Sequence, residues 1–250
     1  MLSWPCLLAY LSSLAQTGNI LTTSWNNSLL IDLHSHSYPK SDDGFMGVDE
    51  LIEGTKSKGL DGVCLTDHDI FWSPDEVRAL SRRHNFLVIP GCEINTDTGH
   101  VIVFGLDHYT FGLHKPDFLH GMVLQDGGVL IAAHPYRRRF LEEPARRPSA
   151  RAEMLDRASG DGFFGICDAI EGINGRATEV ETDFSLDLVG RLEMKMTGGS
   201  DAHKVEQLGT AATLFQRDIT GLEDLIEELK GGRFQAVDLR NGRKTGASAF

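Results

Sequence analysis

The stretch Ile31–Gly44 reads IDLHSHSYPKSDDG. An apolar run, SLLIDLH, ends in His34-Ser35-His36, and Asp42 and Asp43 follow a few residues later. Residues i and i+2 of an extended segment point to the same side, so both imidazoles can reach one ion. An ordinary loop could carry the same letters. The rest of the chain has to decide between them.

Working outward, strand-like and helix-like segments alternate. SLLIDLH reads as a strand and VDELIEGTKSKG as a helix ending at Gly59. LDGVCLT is a second strand. Ser73-Pro74-Asp75-Glu76 then opens a helix, with Ser73 at the N-cap, Pro74 at the first helical position and Glu76 completing a capping box. FLVIPGCEI, HVIVFGL, VLIAAH, DAIEGIN, MKMTGGSD, GTAATLF and RFQAVDL read as further strands. A short helical stretch near Asp117–Gln125, the segment TEVETDFSLDLVGRLE and the segment LEDLIEEL read as helices. In the last of these, Leu222, Leu225, Ile226 and Leu229 share one face. Near-continuous apolar strands alternating with amphipathic helices imply a parallel sheet covered by helices, and this many units favours a barrel over an open sheet.

The chain has 250 residues, 41% of them hydrophobic, and a formal net charge of -12. One large domain is expected. A surface of that sign repels duplex DNA, so a small or short substrate is favoured. Cys6, Cys64, Cys92 and Cys167 are scattered with no C-x-x-C pair, so neither a zinc knuckle nor a redox motif is suggested, and Cys64 and Cys92 in their apolar runs read as buried thiols in a reducing, cytoplasmic setting. LSWPCLLAYLSSLAQTG resembles a signal core, yet no basic residue occurs before Lys40. A secretory leader carries positive charge ahead of its apolar core. Residues 1–29 are therefore expected to be a disordered or loosely docked extension, or to follow from a start assigned too far upstream. The domain is expected over 30–240 and a loose tail over 241–250. No segment is apolar and long enough to cross a membrane.

The chemically useful side chains cluster at strand C-termini. His34 and His36 follow the first strand, Asp67 and His68 the second, and Glu93 lies near the end of the third. His100 begins HVIVFGL, His134 ends VLIAAH, and Asp201 and His203 follow MKMT. In parallel α/β folds these ends gather at one face, where active sites form. Each group alone has an ordinary reading: a capping loop for TDHD, a buried salt bridge for Glu93, a turn for GGSDAH. A buried Glu is costly unless it is paired or bound to metal. Asp67 could hold His68 and fix its tautomer. Several strand ends each carrying a His or an acid form the recurrent arrangement of a multinuclear metal site. His84, His108, His114 and His120 fit no such pattern and read as surface or structural.

The blocks DLHSHS…SDDG, GLDGVCLTDHD, GCEIN, IAAHPYR and GGSDAH, in this order, resemble the PHP (polymerase and histidinol phosphatase) family over about Ile31 to Phe215. The resemblance implies a distorted, TIM-like (β/α)7 barrel with two or three divalent metal ions, Zn, Mn or Fe, at the strand C-termini. It implies His34, His36, Glu93 and Asp201 on the first metal, with Glu93 bridging. His100 and His134 join Glu93 on the second, and Asp42, His68 and His203 hold the third, with Asp43 the neighbouring alternative to Asp42. Asp67 is carried over as a support behind these ligands. Asp201, His203 and Glu93 are the implied catalytic residues. The implied reaction is hydrolysis of a phosphoester by a metal-bound hydroxide in a di- or trinuclear site. Substrates would be a small phosphometabolite, a nucleotide or the end of a short nucleic acid.

HPYRRRFLEEPARRPSAR adds Arg137, Arg138, Arg139, Arg146, Arg147 and Arg151 as a local basic patch, and Arg can bind phosphate through two parallel hydrogen bonds. Arg137 is the first candidate for substrate phosphate. Arg176, with Asn174 in EGINGR, resembles the family's N-x-R segment and is the second. Nucleotide phosphatase and exonuclease relatives carry a helical insert between the motif histidines. Only 33 residues lie between His100 and His134 here. Two rival readings remain open, an amidohydrolase-like metal hydrolase and a catalytically silent, metal-stabilised interaction module.

Overall fold

The computed structural model describes residues 28–137 and 148–240. The expected N-terminal extension up to residue 27, the tail 241–250, and Arg138, Arg139, Arg146 and Arg147 lie outside the described residues.

Two five-stranded sheets form the centre. In the first, β1 (Leu29–Asp32) pairs in parallel with β2 (Gly62–Leu65), and β2 pairs in parallel with β3 (Leu87–Pro90). The crossovers are α1 (Val48–Ser57) and α2 (Pro74–His84). On its other side β1 pairs antiparallel with β9 (Ala211–Phe215), which pairs antiparallel with β10 (Phe234–Asp238). The second sheet runs β4 (Cys92–Thr96), β5 (Gly99–Phe104), β6 (Val129–Ala132), β7 (Ala169–Asn174) and β8 (Lys195–Gly199). Its β4–β5 and β5–β6 pairs are antiparallel, and β6–β7 and β7–β8 are parallel. The remaining helices are α3 (Pro116–Gln125), α4 (Pro148–Ser159), α5 (Glu179–Leu192) and α6 (Leu222–Gly231).

The α/β alternation is as the pattern requires, but the sheets are mixed, not parallel. The cause is local. Only Asp97 and Thr98 separate β4 from β5, and a link that short can only reverse the chain. The expected single strand FLVIPGCEI is also two strands. Pro90 has no N–H to continue a ladder, and Gly91 packs so closely that an added Cβ would lie 2.7 Å from Phe104. Among the described residues the ladders do not close into one (β/α)7 ring. The two sheets meet instead through isolated parallel bridges, His68 with Glu93 and Ser35 with Ala202.

One apolar cluster draws on both sheets, with Ile31, Cys64 and Ile89 meeting Ile102, Phe104 and Ile131. Leu222, Leu225, Ile226 and Leu229 of α6 close it. Helices α1 and α2 pack Leu51, Ile52, Val77 and Leu80 outside the first sheet. The Ser73 capping box forms, with Glu76 N–H donating to Ser73 Oγ (3.2 Å) and Ser73 N–H to Glu76 Oε2 (2.9 Å). An equivalent Thr178–Glu181 box starts α5. Helix α4 begins at the end of the arginine-rich stretch and runs on to Ser159, a helix the apolar spacing does not announce. Among the described residues no helix is long and apolar enough to cross a membrane, and Cys64, Cys92 and Cys167 are free, buried thiols.

His84, which fits no motif, is a structural clamp. Its Nδ1 lies 2.6 Å from Glu53 and its Nε2 2.7 Å from Asp49, so α2 is tied to α1 through both ring nitrogens. Two carboxylate acceptors demand the doubly protonated ring. The hydrogen bond to Glu53 and then that to Asp49, with their charges, raise the His84 pKa above 6.5. The stabilisation is full below the unfolded value of about 6.5 and is lost as pH rises through the raised folded value. Because both acids are more than half exposed, the pairs contribute at most about 1 kcal/mol. Thermal melts should therefore fall by about 2–4 °C between pH 6 and 9, and His84→Gln should remove that component of the pH dependence. An unchanged pH profile in the variant would contradict the clamp.

Candidate metal centre

The centre is built around Glu93. It sits on β4, is 1 % exposed, and its N–H donates to the Thr66 carbonyl (3.1 Å). One carboxylate oxygen, Oε1, lies 2.9 Å from His100 Nδ1 and 2.9 Å from His134 Nε2. The other, Oε2, lies 3.1 Å from His34 Nε2, 3.2 Å from His36 Nε2 and 3.3 Å from His68 Nδ1. Five imidazoles from four different strand ends thus converge on one acid.

Asp201 is the second acid. Its Oδ1 lies 3.4 Å from His36 Nε2 and 3.6 Å from His34 Nε2. His203 Nε2 reaches Asp43 Oδ2 at 2.9 Å, and His68 Nε2 reaches the same oxygen at 3.5 Å. Four groups could each hold a cation: His34, His36 and Asp201; His34, Glu93 and His134; His68, Glu93 and His100; and His36, Asp43, His68 and His203. The structure therefore brings together His34, His36, His68, Glu93, His100, His134, Asp201 and His203. Asp42 and Asp43 are both exposed and line the same hollow, and of the two it is Asp43, the neighbouring alternative, whose carboxylate meets the histidines, not Asp42.

The donor set fits a cation. Glu93 Oε2 and His68 Nδ1 are buried with no hydrogen-bond partner, despite the nitrogens and oxygens around them. His34 Nε2 and His36 Nε2 face each other at 3.0 Å. Lone pairs are aimed at common points, and a group of imidazoles and carboxylates of this kind suits Zn, Mn or Fe. The electrostatics agree. Burial disfavours charge on His34, but Glu171, Glu93 and Asp201 outweigh it and raise its pKa well above 6.5. Burial likewise opposes charge on His36, yet the carboxylates of Asp201 and Glu93 beside its Nε2 raise its pKa to about 9. Burial would raise Glu93 and Asp201, but His34 above all holds both well below the usual carboxylate range. The protein's own field calls for positive charge at this point.

Backbone strain marks the same place. His134 (φ 26) and Asp201 (φ 53) are non-glycine residues in the left-handed region, a conformation that costs about 1–3 kcal/mol and persists where surrounding structure enforces it. The loop after β1 is held by Asp67, which accepts from Ser37 N–H (2.6 Å), Ser37 Oγ (3.0 Å) and Trp72 Nε1 (2.7 Å). Asp67 thus anchors the H-x-H loop, and the expected contact with the His68 ring is replaced by these three. Beneath the site, Asp32 accepts from Ser200 N–H (2.8 Å) and His34 N–H (3.1 Å), and burial raises its pKa to about 6.

Two hollows open over the cluster and share Asp43, His68 and His100. One of ≈ 260 Å³ carries Arg137 and Arg176, and one of ≈ 460 Å³ carries Lys40, Asp69 and Asn95. Arg137 Nη1 donates to Asp201 Oδ2 (2.8 Å), and Arg176 Nη1 lies 3.0 Å from His203 Nδ1. Arg151, by contrast, pairs with Asp187 on α5. Sequence reading passed over Glu171, which is 1 % exposed on β7 with Oε1 2.8 Å from His34 Nδ1. Its signal was an acid in the middle of an otherwise apolar strand, DAIEGIN.

Residues 181–234, which include Asp201 and His203, match the family model described as PHP-associated. A Thermotoga maritima protein described as "Probable histidinol-phosphatase" is 27% identical over 244 residues, covering 84% of this chain and 96% of that one. Among solved structures, a two-domain Bacteroides vulgatus protein containing a predicted PHP-like metal-dependent phosphoesterase superposes with TM-score 0.56 at 18% identity, over 88% of this chain and 67% of that one. An amidohydrolase from Chromobacterium violaceum superposes with TM-score 0.55 at 17% identity, over 83% and 97%. At such identities the solved structures share the fold alone. The chain is thus similar to PHP-type proteins in its C-terminal segment, in a histidinol-phosphatase-like relative and in fold.

A ligand that binds only the folded chain stabilises it by about 2.7 kcal/mol at a hundred times its dissociation constant. Stripping the protein with a chelator and restoring Zn or Mn to that excess should raise its melting temperature by about 5–10 °C. Glu93→Gln should abolish most of this rise. An equal rise in both proteins would place the ion elsewhere.

Proposed function

We propose that this protein is a metal-dependent phosphoesterase acting on a small phosphorylated metabolite, a nucleotide or the end of a short oligonucleotide. The observation that carries the reading is the buried Glu93–Asp201–histidine cluster with Arg137 and Arg176 at its open edge. His34, His36 and Asp201 would hold one ion, His100 and His134 a second, with Glu93 between them. Asp43, His68 and His203 would hold a third. Closely spaced divalent ions, when bound, activate a water and neutralise charge on a phosphoryl group during in-line displacement.

The chain's own residues do the rest. Arg137 and Arg176 project planar donors over the ligand cluster and are suited to gripping non-bridging phosphate oxygens. Both lean on Asp201 in the structure, so a phosphate entering the hollow would offer them an alternative acceptor. His203 has its pKa lowered, first by burial and then by His36, which favours the neutral ring with a lone pair to offer. The hollow of ≈ 460 Å³ is of the size that small-ligand sites have, and the adjoining one of ≈ 260 Å³ is slightly smaller. That size and the net charge of -12 both argue against duplex DNA as substrate.

The amidohydrolase reading shares the H-x-H signature and the fold, so amide substrates belong in the same test. Phosphate release should be measured with Mn and with Zn on an aryl phosphate, a nucleotide panel including 3′,5′-bisphosphates, and an amide panel. Metal-dependent phosphate release that vanishes in Asp201→Asn is the expected result. Amide hydrolysis without phosphate release would overturn the reading. On the substrate that emerges, Arg137→Ala and Arg176→Ala should each raise KM by about 10–100-fold, the worth of a charged hydrogen bond of about 1.5–3 kcal/mol. An unchanged KM would remove the arginines from the phosphate site.

A further inference from the structure

Glu171 is a buried acid with three donors and no exposed face. Its Oε1 meets His34 Nδ1 at 2.8 Å. Its Oε2 accepts from the His134 main-chain N–H (2.9 Å) and from Asn174 Nδ2 (2.9 Å). The Asn174 amide is not free to turn over. Its Oδ1 accepts from Arg176 N–H (3.0 Å), and its Nδ2 also donates to Asp201 Oδ2 (3.2 Å). Oε2 therefore faces two obligatory donors, and Oε1 alone is left for His34.

A carboxylate oxygen can only accept. His34 must then carry its proton on Nδ1, which leaves the Nε2 lone pair aimed at Glu93, His36 and Asp201. Space for this contact is made by Gly199 on β8. A Cβ there would lie 2.8 Å from Glu171 Oε1 and 2.5 Å from His34 Cβ.

We propose that Glu171 is a positioning residue that locks His34 in the tautomer able to bind metal through Nε2, while tying the His134 backbone and, through Asn174, Asp201 to the same anchor. The proposal rests on the metal-centre reading above. Partners of this kind behind a metal-binding histidine fix ring orientation and raise ligand basicity, and their loss costs 10–100-fold in metal affinity.

The hydrogen bonding makes Glu171→Gln informative although it keeps the shape. The amide oxygen of glutamine must take the Oε2 place, because His134 N–H and Asn174 Nδ2 both donate there. Its NH2 then faces His34 and donates to Nδ1. That drives the His34 proton onto Nε2, into the point where the metal ligands converge. The variant should thus fold yet reverse the tautomer.

The experiment uses the full chain stripped of metal, with circular dichroism to establish folding. Zinc affinity is read by competition with a chromophoric chelator, and the His34 ring by 15N spectra of the zinc-loaded protein. The expected results are a 10–100-fold weaker affinity for at least one zinc in Glu171→Gln, and a wild-type His34 with a retained Nδ1–H and zinc on Nε2. Unchanged zinc affinity in a folded variant would overturn the proposal, as would a wild-type His34 ligating through Nδ1. If the variant does not fold, the wild-type spectrum decides. A wild-type protein that binds no zinc or manganese at all would overturn the metal-centre reading, and the proposal with it.

Discussion

The Glu93 carboxylate, buried against five imidazoles, is the constraint on which the rest of the structure depends. Removing such a group from water is expensive unless charge and hydrogen bonds answer it. The chain answers with His34 and His36 after β1, His68 after β2, His100 from β5 and His134 after β6. It brings them together only because two sheets meet edge to edge where Glu93 bridges to His68. The same contact joins the sheets and builds the site. Fold and chemistry are therefore specified by one set of residues, and damage to Glu93 should be felt by both.

The supports around that point share one logic. Asp67 fixes the loop that carries the H-x-H pair, Asp32 ties His34 to Ser200, and Glu171 ties His34 to the strand end that carries His134. His134 and Asp201 are held with positive φ, which the surrounding packing must offset. A ligand shell held this rigidly is suited to keeping its geometry with or without an ion. Charge that would otherwise repel is distributed so that Glu93, Asp201 and Glu171 each have an imidazole beside them, while Asp67 and Asp32 are answered by neutral N–H and O–H donors.

Much of this was legible in the sequence. The helices at Val48, Pro74, Glu179 and Leu222 follow from the Ser73 capping box and from apolar spacing, and eight of the nine side chains singled out as candidates lie close together at strand ends. What was not legible depends on short-range geometry. Two residues between β4 and β5 reversed a strand, and Gly91 broke another, so the sheets are mixed where apolar strands suggested parallel pairing throughout. The choice of Asp43 over Asp42 turns on which neighbour a loop points inward, and periodicity does not reach into a loop. Glu171 was hidden because its partner, His34, is 137 residues away. Only an acid interrupting an apolar strand hinted that something charged lay opposite it.

The most direct measurement is a titration of metal-free protein with Mn or Zn in which bound metal per chain and phosphate release are followed together. The account predicts that release is absent at zero metal, climbs as the first two or three equivalents bind, and levels off when the cluster is full. Metal that binds to that stoichiometry without any phosphate release would contradict the central claim and leave a metal-stabilised, catalytically silent fold.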